Sequence, residues 1–508
     1  MALTGGSVPV KDLQDELSSL IRSRYGLILL ETVEEDRAET IIRHLADRMN
    51  LPFFVWTADR GLRRDGAENS IYGTNNLTNA LGHIEASKEP ALYHFQNVSA
   101  WFPEGLPRDP VLEAKILTVV KRLAEREGSI IMTGREIPLS EVCRRYAASV
   151  KMPSPTAQEY ADLLKRIHRD LSRKSAIPVR LSRDELNKLI YNLKGLTLFE
   201  TQKVLTRAML DSGCLSADSI RKVVEMKKTI VERDGLLEYY PVEENFHEIA
   251  DLSRLKTWLA KRRHFITDPE KAAASGLSFP KGILLVGIPG SGKSLCAKAV
   301  SNEWGIPLLK MDTSRLYSKY IGETERNFRN AMDSAERLSP TILWIDEIEK
   351  AMACGSEEDG GTSKRVQGSF LTWMQDRRGD VFVVATSNDI GSLPPELLRK
   401  GRFDEIFFLD LPDPEARQEI FRIHLKRRGY PPEKFDCQAL AAASEGFTGA
   451  DIEQSICSAL YSVVPDQKPF TTQTIMDEIR STHPLSQTRS ETIDSLRIWA
   501  RDRTVPAN

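Results

Sequence analysis

Two apolar runs of the chain begin in the same way and then diverge. The first is "GLILLETVEEDRAE", which begins at Gly26, and the second is "GILLVGIPGSGKSL", which begins at Gly282. In each, a glycine precedes four aliphatic residues, and a short apolar run bounded by turn residues is typical of a buried strand. A helix is predicted after each run, following an acidic turn in one and a glycine-rich loop in the other. This order of strand and helix predicts an α/β fold.

The glycine-rich loop of the second run carries a highly specific motif. Gly287, Gly292, Lys293 and Ser294 fit the pattern G-x-x-x-x-G-K-[ST], between a predicted strand and a predicted helix. Glycines allow backbone N–H groups to curl around phosphate oxygens at the start of a helix. We expect Lys293 to neutralise the β- and γ-phosphates of ATP and Ser294 to bind Mg²⁺. The residues predicted to contact the nucleotide here are Gly287, Ile288, Pro289, Gly290, Ser291, Gly292, Lys293, Ser294 and Leu295.

Two acidic residues end the next predicted strand, in "TILWIDEIEK". Asp346 can hold Mg²⁺ through water, and Glu347 can activate the attacking water as a general base. A strand that ends in Asp-Glu is by itself more often an ordinary solvated strand end, so this interpretation depends on the phosphate loop that precedes it. Asn388 ends a further apolar run, "DVFVVATSND". It could orient the water between Glu347 and the γ-phosphate.

Two arginines follow a turn that begins with proline, in "GSLPPELLRKGRFD". Surface ion pairs are one interpretation of Arg399 and Arg402, and such pairs contribute little to stability. The other interpretation is an arginine finger, which can contribute about 10³–10⁵ in rate.

These motifs together resemble a known family. "GIPGSGKS", "LWIDEIE", "ATSND" and "LLRKGRFD" closely resemble, in order and spacing, motifs of the AAA subgroup of ring ATPases. The resemblance covers the chain from about Phe246 onwards. It implies a homo-oligomer, a hexameric ring, in which Arg399 and Arg402 act on ATP bound by the neighbouring subunit. One departure is Lys400, because proline is usual between the two arginines.

The resemblance also assigns residues outside the phosphate loop. It implies a C-terminal helical lid with His424 near the nucleotide, and it places Ile249 and Ala250 beside adenine. Gly449 and Ala450 match the small residues that this subgroup has where other AAA+ proteins keep a sensor arginine.

A further segment, "SRLYSKYIGETERNF", resembles the first pore loop of the subgroup. Its tip is Tyr320, Ile321 and Gly322, and an aromatic residue there can grip a threaded polypeptide. A tyrosine packed beneath the loop is the alternative. The polar, glycine-rich "CGSEEDGGTSKR" is expected to be a second pore loop.

The N-terminal third of the chain aligns weakly with the ATPase part. Gln96 and Asn97 fall where Asp346 and Glu347 stand, and the order of the aligned segments is preserved. Shared strand–helix architecture could produce some of this similarity. An internal duplication is the interpretation we adopt.

The first copy lacks the chemistry of the second. When Gly26 is aligned with Gly282, Glu31 replaces the first loop glycine and Arg37 stands at the lysine position. Like charge and missing glycines disfavour triphosphate binding. We therefore expect a degenerate module that serves as a scaffold, adaptor or substrate platform.

This plan of a degenerate first module and an intact second one is itself a recognisable pattern. With the segment "RSRYGLILLETVEEDR", it resembles the AAA ATPases of cyanobacteria, algal plastids and bacteria known as hypothetical chloroplast reading frames. The resemblance supplies no substrate.

Composition narrows the remaining classes of function. The 508 residues carry a formal net charge of −2, which gives no electrostatic reason to expect nucleic acid as a partner. We expect no membrane partner, because no apolar run is long enough to cross a bilayer. The polar start "MALTGGSVPVKDLQDELSS" is not typical of a secretory signal. The six cysteines are scattered without a C-x-x-C pair, which argues for a reducing cytoplasm and against a metal cage.

The sequence thus predicts an α/β P-loop AAA+ ATPase domain with a C-terminal helical lid, preceded by a degenerate AAA-like α/β module with its own helical subdomain. The expected domains are 1–150, 151–215, 216–243, 244–413 and 414–508. The expected function is Mg²⁺-dependent ATP hydrolysis that remodels or threads a protein substrate. A regulatory switch with slow turnover and, less favoured, a nucleic-acid motor are the alternatives.

Overall fold

The computed structural model describes residues 10–102, 109–135, 137, 139–173, 177–240, 252–263, 275–313, 323–352, 362–377, 379–399, 401–463, 465 and 469–508. Contacts between residues divide the chain into two compact units, Met1–Val223 and Val224–Asn508. No helix in the described ranges is both long enough and apolar enough to span a bilayer.

Each unit contains an α/β part and a set of helices, which confirms the predicted fold class. The α-helices are α1 (Val10–Arg22), α2 (Glu35–Met49), α3 (Leu77–Ala86), α4 (Pro110–Glu125), α5 (Glu141–Arg144), α6 (Ala157–Ser172), α7 (Arg183–Leu193), α8 (Leu198–Ser212), α9 (Ala217–Val231), α10 (Ser253–Arg262), α11 (Lys293–Trp304), α12 (Glu323–Arg337), α13 (Ile348–Met352), α14 (Thr362–Asp376), α15 (Pro414–Arg427), α16 (Cys437–Ala443), α17 (Gly449–Val463), α18 (Thr472–Ser481), α19 (Leu485–Thr488) and α20 (Ser490–Ala500). The strands are β1 (Leu27–Glu31), β2 (Phe53–Thr57), β3 (Gly61–Arg64), β4 (Leu92–Phe95), β5 (Ser129–Gly134), β6 (Ala147–Lys151), β7 (Leu237–Tyr240), β8 (Gly282–Gly287), β9 (Leu308–Met311), β10 (Thr341–Ile345), β11 (Val381–Ser387), β12 (Glu405–Leu409) and β13 (Val505–Pro506).

The two sheets share five parallel strands in the same arrangement. The first sheet has the order β3-β2-β4-β5-β1-β6, and the second has the order β13-β12-β8-β11-β10-β9-β7. Strands β2-β4-β5-β1-β6 of the first therefore match β9-β10-β11-β8-β12 of the second, both in space and along the chain. An antiparallel strand, β3 in one sheet and β7 in the other, borders the matched set on the same side. The common order is the relation that a duplicated module would produce.

The pairing of β2 with β4 has the same register as the pairing of β9 with β10. The backbone N–H of Leu92 donates to Pro52 O and that of Ile342 donates to Pro307 O, both at 2.9 Å. This geometry agrees with the sequence alignment of those strands.

For β1 and β8, the register of strand pairing corrects the sequence alignment. Leu27 pairs with Ile130 in the first sheet, and Gly282 pairs with Val383 in the second. Since Ile130 and Val383 occupy corresponding positions of β5 and β11, Leu27 rather than Gly26 corresponds to Gly282. The alignment that matched the two glycines was wrong by one residue, because it followed the similar letters of two aliphatic strands and not their pairing.

The sheet of the second unit is covered on both faces. Every residue of β8, β10 and β11 is buried, as expected for parallel strands with helices on both sides. The polar residues that follow these strands therefore lie at the carboxyl edge of the sheet. Ligands of open α/β sheets bind at this edge.

One helix in the helical part of each unit begins with a side-chain cap that the sequence encodes. Thr197 and Glu200 exchange side-chain and backbone hydrogen bonds at the start of α8, and Thr448 and Asp451 do the same at the start of α17. These are S/T-x-x-D/E sequences of the capping-box type. The predicted lid is confirmed as a helical cluster whose apolar core includes Phe421, Leu440, Ile452, Ile456 and Ile475.

Candidate nucleotide-binding site

The loop between β8 and α11 has a backbone that only glycine adopts without strain. Gly290 and Gly292 have φ values of 82° and 93°, in the region that disfavours residues with a Cβ atom. A Cβ at Gly290 would also lie 2.8 Å from Thr448 Oγ1. The hydroxyl of Ser291 is buried and has no hydrogen-bond partner among the described residues. The loop is thus a cradle of backbone N–H groups with an unused hydroxyl.

Lys293, the first residue of α11, is buried with its ammonium at this loop. It is 7% exposed, and its Nζ donates to Gly287 O and Ile288 O, both at 2.8 Å. Burial lowers the pKa of Lys293 to about 8, and nearby carboxylates, first that of Glu349, act in the opposite direction. A buried cation held by two carbonyl oxygens is matched to an anionic ligand.

The two predicted acidic residues follow β10 and contact the neighbouring strand. Asp346 Oδ1 accepts a hydrogen bond from Thr386 Oγ1 at 2.6 Å and lies 3.4 Å from Ser294 Oγ. The N–H of Glu347 donates to the same Thr386 oxygen at 3.0 Å. The predicted metal-binding pair, Ser294 and Asp346, is therefore brought together, and one threonine hydroxyl connects both acidic residues.

The carboxylate of Glu347 has a partner on each oxygen. Asn388 Nδ2 donates to Oε1 at 3.0 Å, and Lys350 Nζ lies 2.5 Å from Oε2. The backbone N–H of Asn388 donates to Glu349 Oε1 at 3.0 Å. Asn388 is thus placed beside the predicted base, as the sequence suggested.

Sequence reasoning missed Thr386, Glu349 and Lys350. Thr386 has no motif of its own, although its position near the end of an apolar strand, two residues before Asn388, is a usable signal. Glu349 and Lys350 come after Ile348, and only the turn of α13 brings them back onto Asn388 and Glu347.

The two predicted arginines, Arg399 and Arg402, follow β11 in the chain. Arg399 is exposed and Arg402 is half-buried. Among the described residues neither makes a hydrogen bond or an ion pair with Asp346 or Glu347, and the Nη1 atom of Arg402 is buried without a partner.

The lid contacts the phosphate loop through Gly449 and Ala450. The N–H of Ala450 is directed at Gly290 O from 3.4 Å, and a Cβ at Gly449 would lie 3.6 Å from the same oxygen. His424 is buried within the lid, where its Nδ1 lies 3.5 Å from Glu453 Oε1.

Several predicted site residues lie outside the described residues. They are Ile249 and Ala250 of the predicted adenine contact, Tyr320, Ile321 and Gly322 of the first pore loop, most of the second pore loop, and Lys400.

In the corresponding cleft of the first unit, the positions of Lys293, Ser294, Asp346 and Glu347 carry other residues, whereas Thr133 matches Thr386. With the corrected register, Ala38 stands at the position of Lys293 and Glu39 at that of Ser294. Gln96 Nε2 donates to Glu39 Oε2 at 2.8 Å, which is the counterpart of the contact between Ser294 and Asp346. The earlier assignment of Arg37 to the lysine position was therefore wrong by one residue.

The first carboxylate of this cleft lies against the end of the sheet. Glu35 Oε1 accepts from the N–H of Asn97 at 3.1 Å, and its other oxygen accepts from the Thr133 hydroxyl. Burial raises the pKa of Glu35, and these hydrogen bonds act in the opposite direction. The chain's own carboxylate thus occupies this part of the cleft.

The second carboxylate connects the α/β part of the first unit to its helices. Glu34 Oε1 accepts from the N–H of Leu198, at the start of α8, at 2.7 Å. Arg37 donates to Glu34, to Glu159 of α6 and to Pro153 O. An internal network of ion pairs and hydrogen bonds thus holds this part of the cleft against the helices of the same unit.

Three family models match this chain. One, described as the ATPase family associated with various cellular activities (AAA), matches residues 283–411. Two others, the N-terminal domain and the second domain of a SpoVK-like AAA ATPase, match residues 13–152 and 158–234. The chain therefore belongs to the AAA ATPase family, with the two SpoVK-like domains before its ATPase domain.

Relatives similar along nearly the whole chain define the branch of the family. The chain is 36% identical to the "Uncharacterized AAA domain-containing protein ycf46" of Trieres chinensis, over 96% of each chain. It is 35% identical to the protein of the same name from Pyropia yezoensis, over 96% of this chain and 97% of the relative. The "Cell division cycle protein 48 homolog" of Archaeoglobus fulgidus is 33% identical over 57% of this chain and 41% of its own length. The similarity to AAA ATPases of the chloroplast-reading-frame type is thus confirmed.

Proposed function

We propose that this chain hydrolyses ATP with Mg²⁺ at the carboxyl edge of its second sheet. The observation that carries the proposal is the meeting of Lys293, Asp346 and Glu347 around one glycine loop, with Asn388 on the carboxylate of Glu347. The residues fit a nucleotide, because Gly290 and Gly292 give the loop its positive-φ backbone and its Ser291 hydroxyl has no partner among the described residues.

The chemistry follows from what each side chain can do. Bound Mg²⁺ would neutralise negative charge on the phosphate oxygens, and Ser294 and Asp346 are the residues that would hold it. Lys293 adds a positive charge against the β- and γ-phosphates. Glu347 accepts the proton of the attacking water, and Asn388 keeps the Glu347 carboxylate oriented for this transfer.

A homo-oligomeric ring, with hexamer as the expected size, completes the proposed site. An arginine that acts on ATP must lie near its phosphates. Among the described residues, Asp346 and Glu347 make no hydrogen bond or ion pair with Arg399 or Arg402 of the same chain. The Nη1 atom of half-buried Arg402 has no partner among the described residues, and Arg399 is exposed. Both observations support a role across an interface. We assign both arginines to the site of the neighbouring subunit.

The work done with ATP is proposed to be remodelling of a protein substrate in the cytoplasm, gripped at Tyr320. This part rests on the resemblance of the pore-loop sequence alone. The closed cleft of the first unit suits a scaffold or platform that recruits the substrate. Tyr320→Ala is expected to retain ATP hydrolysis and to lose work on the substrate.

The test of the proposed function is the ATPase rate per protomer against protein concentration, with native mass recorded in parallel. A rate that rises as rings assemble supports a site shared between subunits. A slow rate that does not depend on concentration, although rings form, contradicts it.

A second candidate, a nucleotide-controlled switch with slow turnover, is favoured by one contact. Lys350 Nζ lies 2.5 Å from Glu347 Oε2. This ion pair competes with the attacking water for the carboxylate that is proposed as the base. Slow turnover, together with a Tyr320→Ala variant that functions as well as the unmodified protein, would support the switch.

A further inference from the structure

Glu349 is a buried carboxylate that none of the roles above uses. It is 8% exposed, at the start of the short helix α13. Oε1 accepts from the N–H of Asn388 at 3.0 Å, and Oε2 is buried without a partner among the described residues. Taking a carboxylate out of water is costly unless its oxygens are satisfied. A half-satisfied buried carboxylate therefore needs an explanation beyond stability.

Asn388 is the residue through which Glu349 could act. The ladder between β11 and β8 extends to Ser387, so Asn388 is the first residue that strand pairing does not fix. Its backbone N–H donates to Glu349 Oε1, and its side-chain Nδ2 donates to Glu347 Oε1 at 3.0 Å. Two carboxylates thus hold one asparagine, one at its main chain and the other at its amide group.

We propose that Glu349 is a positioning residue for ATP hydrolysis, which fixes the main chain of Asn388 so that its amide group stays on the Glu347 carboxylate. The inference rests on the proposed function, since Glu347 and Asn388 have their roles there. Glu349 itself does not touch the reacting atoms and acts only through Asn388.

The charge of Glu349 has a separate consequence for Lys293. Burial lowers the pKa of Lys293, and the carboxylate of Glu349 is the first of the groups that oppose this effect. A glutamine would keep an oxygen acceptor for the Asn388 N–H but would lose the charge. The two contributions of Glu349 can therefore be separated by comparing glutamine with alanine.

The test is a double-mutant cycle between Glu349→Ala and Asn388→Ala in the full-length chain. Glu349→Ala alone is expected to lower kcat by roughly tenfold to 10²-fold, because small misplacements of catalytic groups have effects of this size. In the Asn388→Ala background the same substitution is expected to change kcat by no more than about twofold, since residues that act through one contact are not additive. Equal losses in both backgrounds would overturn the inference.

Two further variants separate positioning from folding. Glu349→Gln should recover most of the kcat lost in Glu349→Ala, because its amide oxygen accepts the same hydrogen bond. Glu336→Ala is the matched control, since Glu336 accepts from Trp373 Nε1 in the same unit and has no contact with Asn388 among the described residues. A loss of kcat in Glu336→Ala equal to that in Glu349→Ala would show that disturbed packing is the cause and would overturn the inference.

Failure of this inference can be distinguished from failure of the proposed function. If Glu347→Gln keeps full turnover, the assignment of the base is wrong. If Glu347→Gln abolishes turnover while the cycle is additive, only the role of Glu349 is wrong.

Discussion

Asn97 and Glu347 have the same left-handed backbone, with φ values of 48° and 49°, at matched positions after β4 and β10. Asparagine adopts this conformation more readily than glutamate. The first unit thus has the residue type that the backbone favours. The second unit keeps a strained glutamate at the position where the proposed chemistry needs a carboxylate.

The first prediction concerns this exchange of stability for activity. Glu347→Asn should raise the free energy of unfolding of the second unit by roughly 1 kcal/mol relative to Glu347→Gln, because asparagine relieves the left-handed strain. Both variants should bind ATP and lose turnover by about 10²–10⁴-fold, the usual contribution of a general base. Denaturant unfolding and ATPase assays test the two parts, and equal stability of both variants would contradict the strain argument.

The second prediction concerns the threonine that connects the acidic pair. Thr386→Val keeps the shape of the side chain but removes the hydrogen bonds to Asp346 Oδ1 and from the N–H of Glu347. Because partners of metal-binding side chains orient them, the Mg²⁺ concentration for half-maximal ATPase rate should rise about 10–100-fold. Thr386→Ser keeps the hydroxyl and serves as the control. An unchanged Mg²⁺ midpoint in the valine variant would contradict this role.

The third prediction tests the closed cleft of the first unit. Arg37→Met removes the centre of a network in which the arginine side chain is 5% exposed. Breaking a buried ion pair from one side should destabilise the first unit by about 3–5 kcal/mol. Hydrogen exchange at the amide of Leu198 should accelerate, because Glu34 loses the arginine that orients it. Arg48→Met is the control, since its pair with Asp15 is largely exposed; equal effects of the two changes would refute the network.

The fourth prediction is a pH dependence of the first unit. Burial lowers the pKa of His94 to about 3 from 6.5 in the unfolded chain. The unfolded state then binds a proton that the folded state does not, so stability is retained above pH 6.5 and falls as the pH decreases towards 3. Between pH 7.5 and 5.5 the loss should be about 1.4 kcal/mol.

Hydrogen exchange of the β4 amides measures this loss, and His94→Gln should remove it. Glu35, whose carboxylate lies 3.8 Å from His94, has the opposite sign, because burial raises its pKa and the folded state gains a proton first. An identical pH dependence in wild type and His94→Gln would show that His94 does not contribute.

The sequence predicts those parts of the site that one local motif encodes. Gly287, Lys293 and Ser294 are adjacent in one loop, and Asp346 with Glu347 ends one strand, so local patterns were sufficient for them. Thr386 escapes such a pattern because its contacts join neighbouring strands and depend on their register. Glu349 escapes it because its contact joins the helix α13 to the end of β11.

Register also explains the one-residue error in comparing the two modules. Aliphatic strands such as β1 and β8 look alike under a shift of one position, and only their pairing with β5 and β11 fixes the match. The acidic residues after β1 were expected to repel a triphosphate. That Glu34 would bind the start of α8 could not be predicted, since Leu198 N is remote in sequence.

Mixing two inactive variants tests the central claim most directly. Glu347→Gln lacks the proposed base and Arg402→Ala lacks the proposed arginine of the neighbouring site, so each alone should be inactive. In mixed rings an intact Glu347 of one subunit can meet an intact Arg402 of the next, and the account predicts that ATPase activity returns on mixing. No recovery, although native mass shows that mixed rings have formed, would contradict a catalytic site shared between subunits.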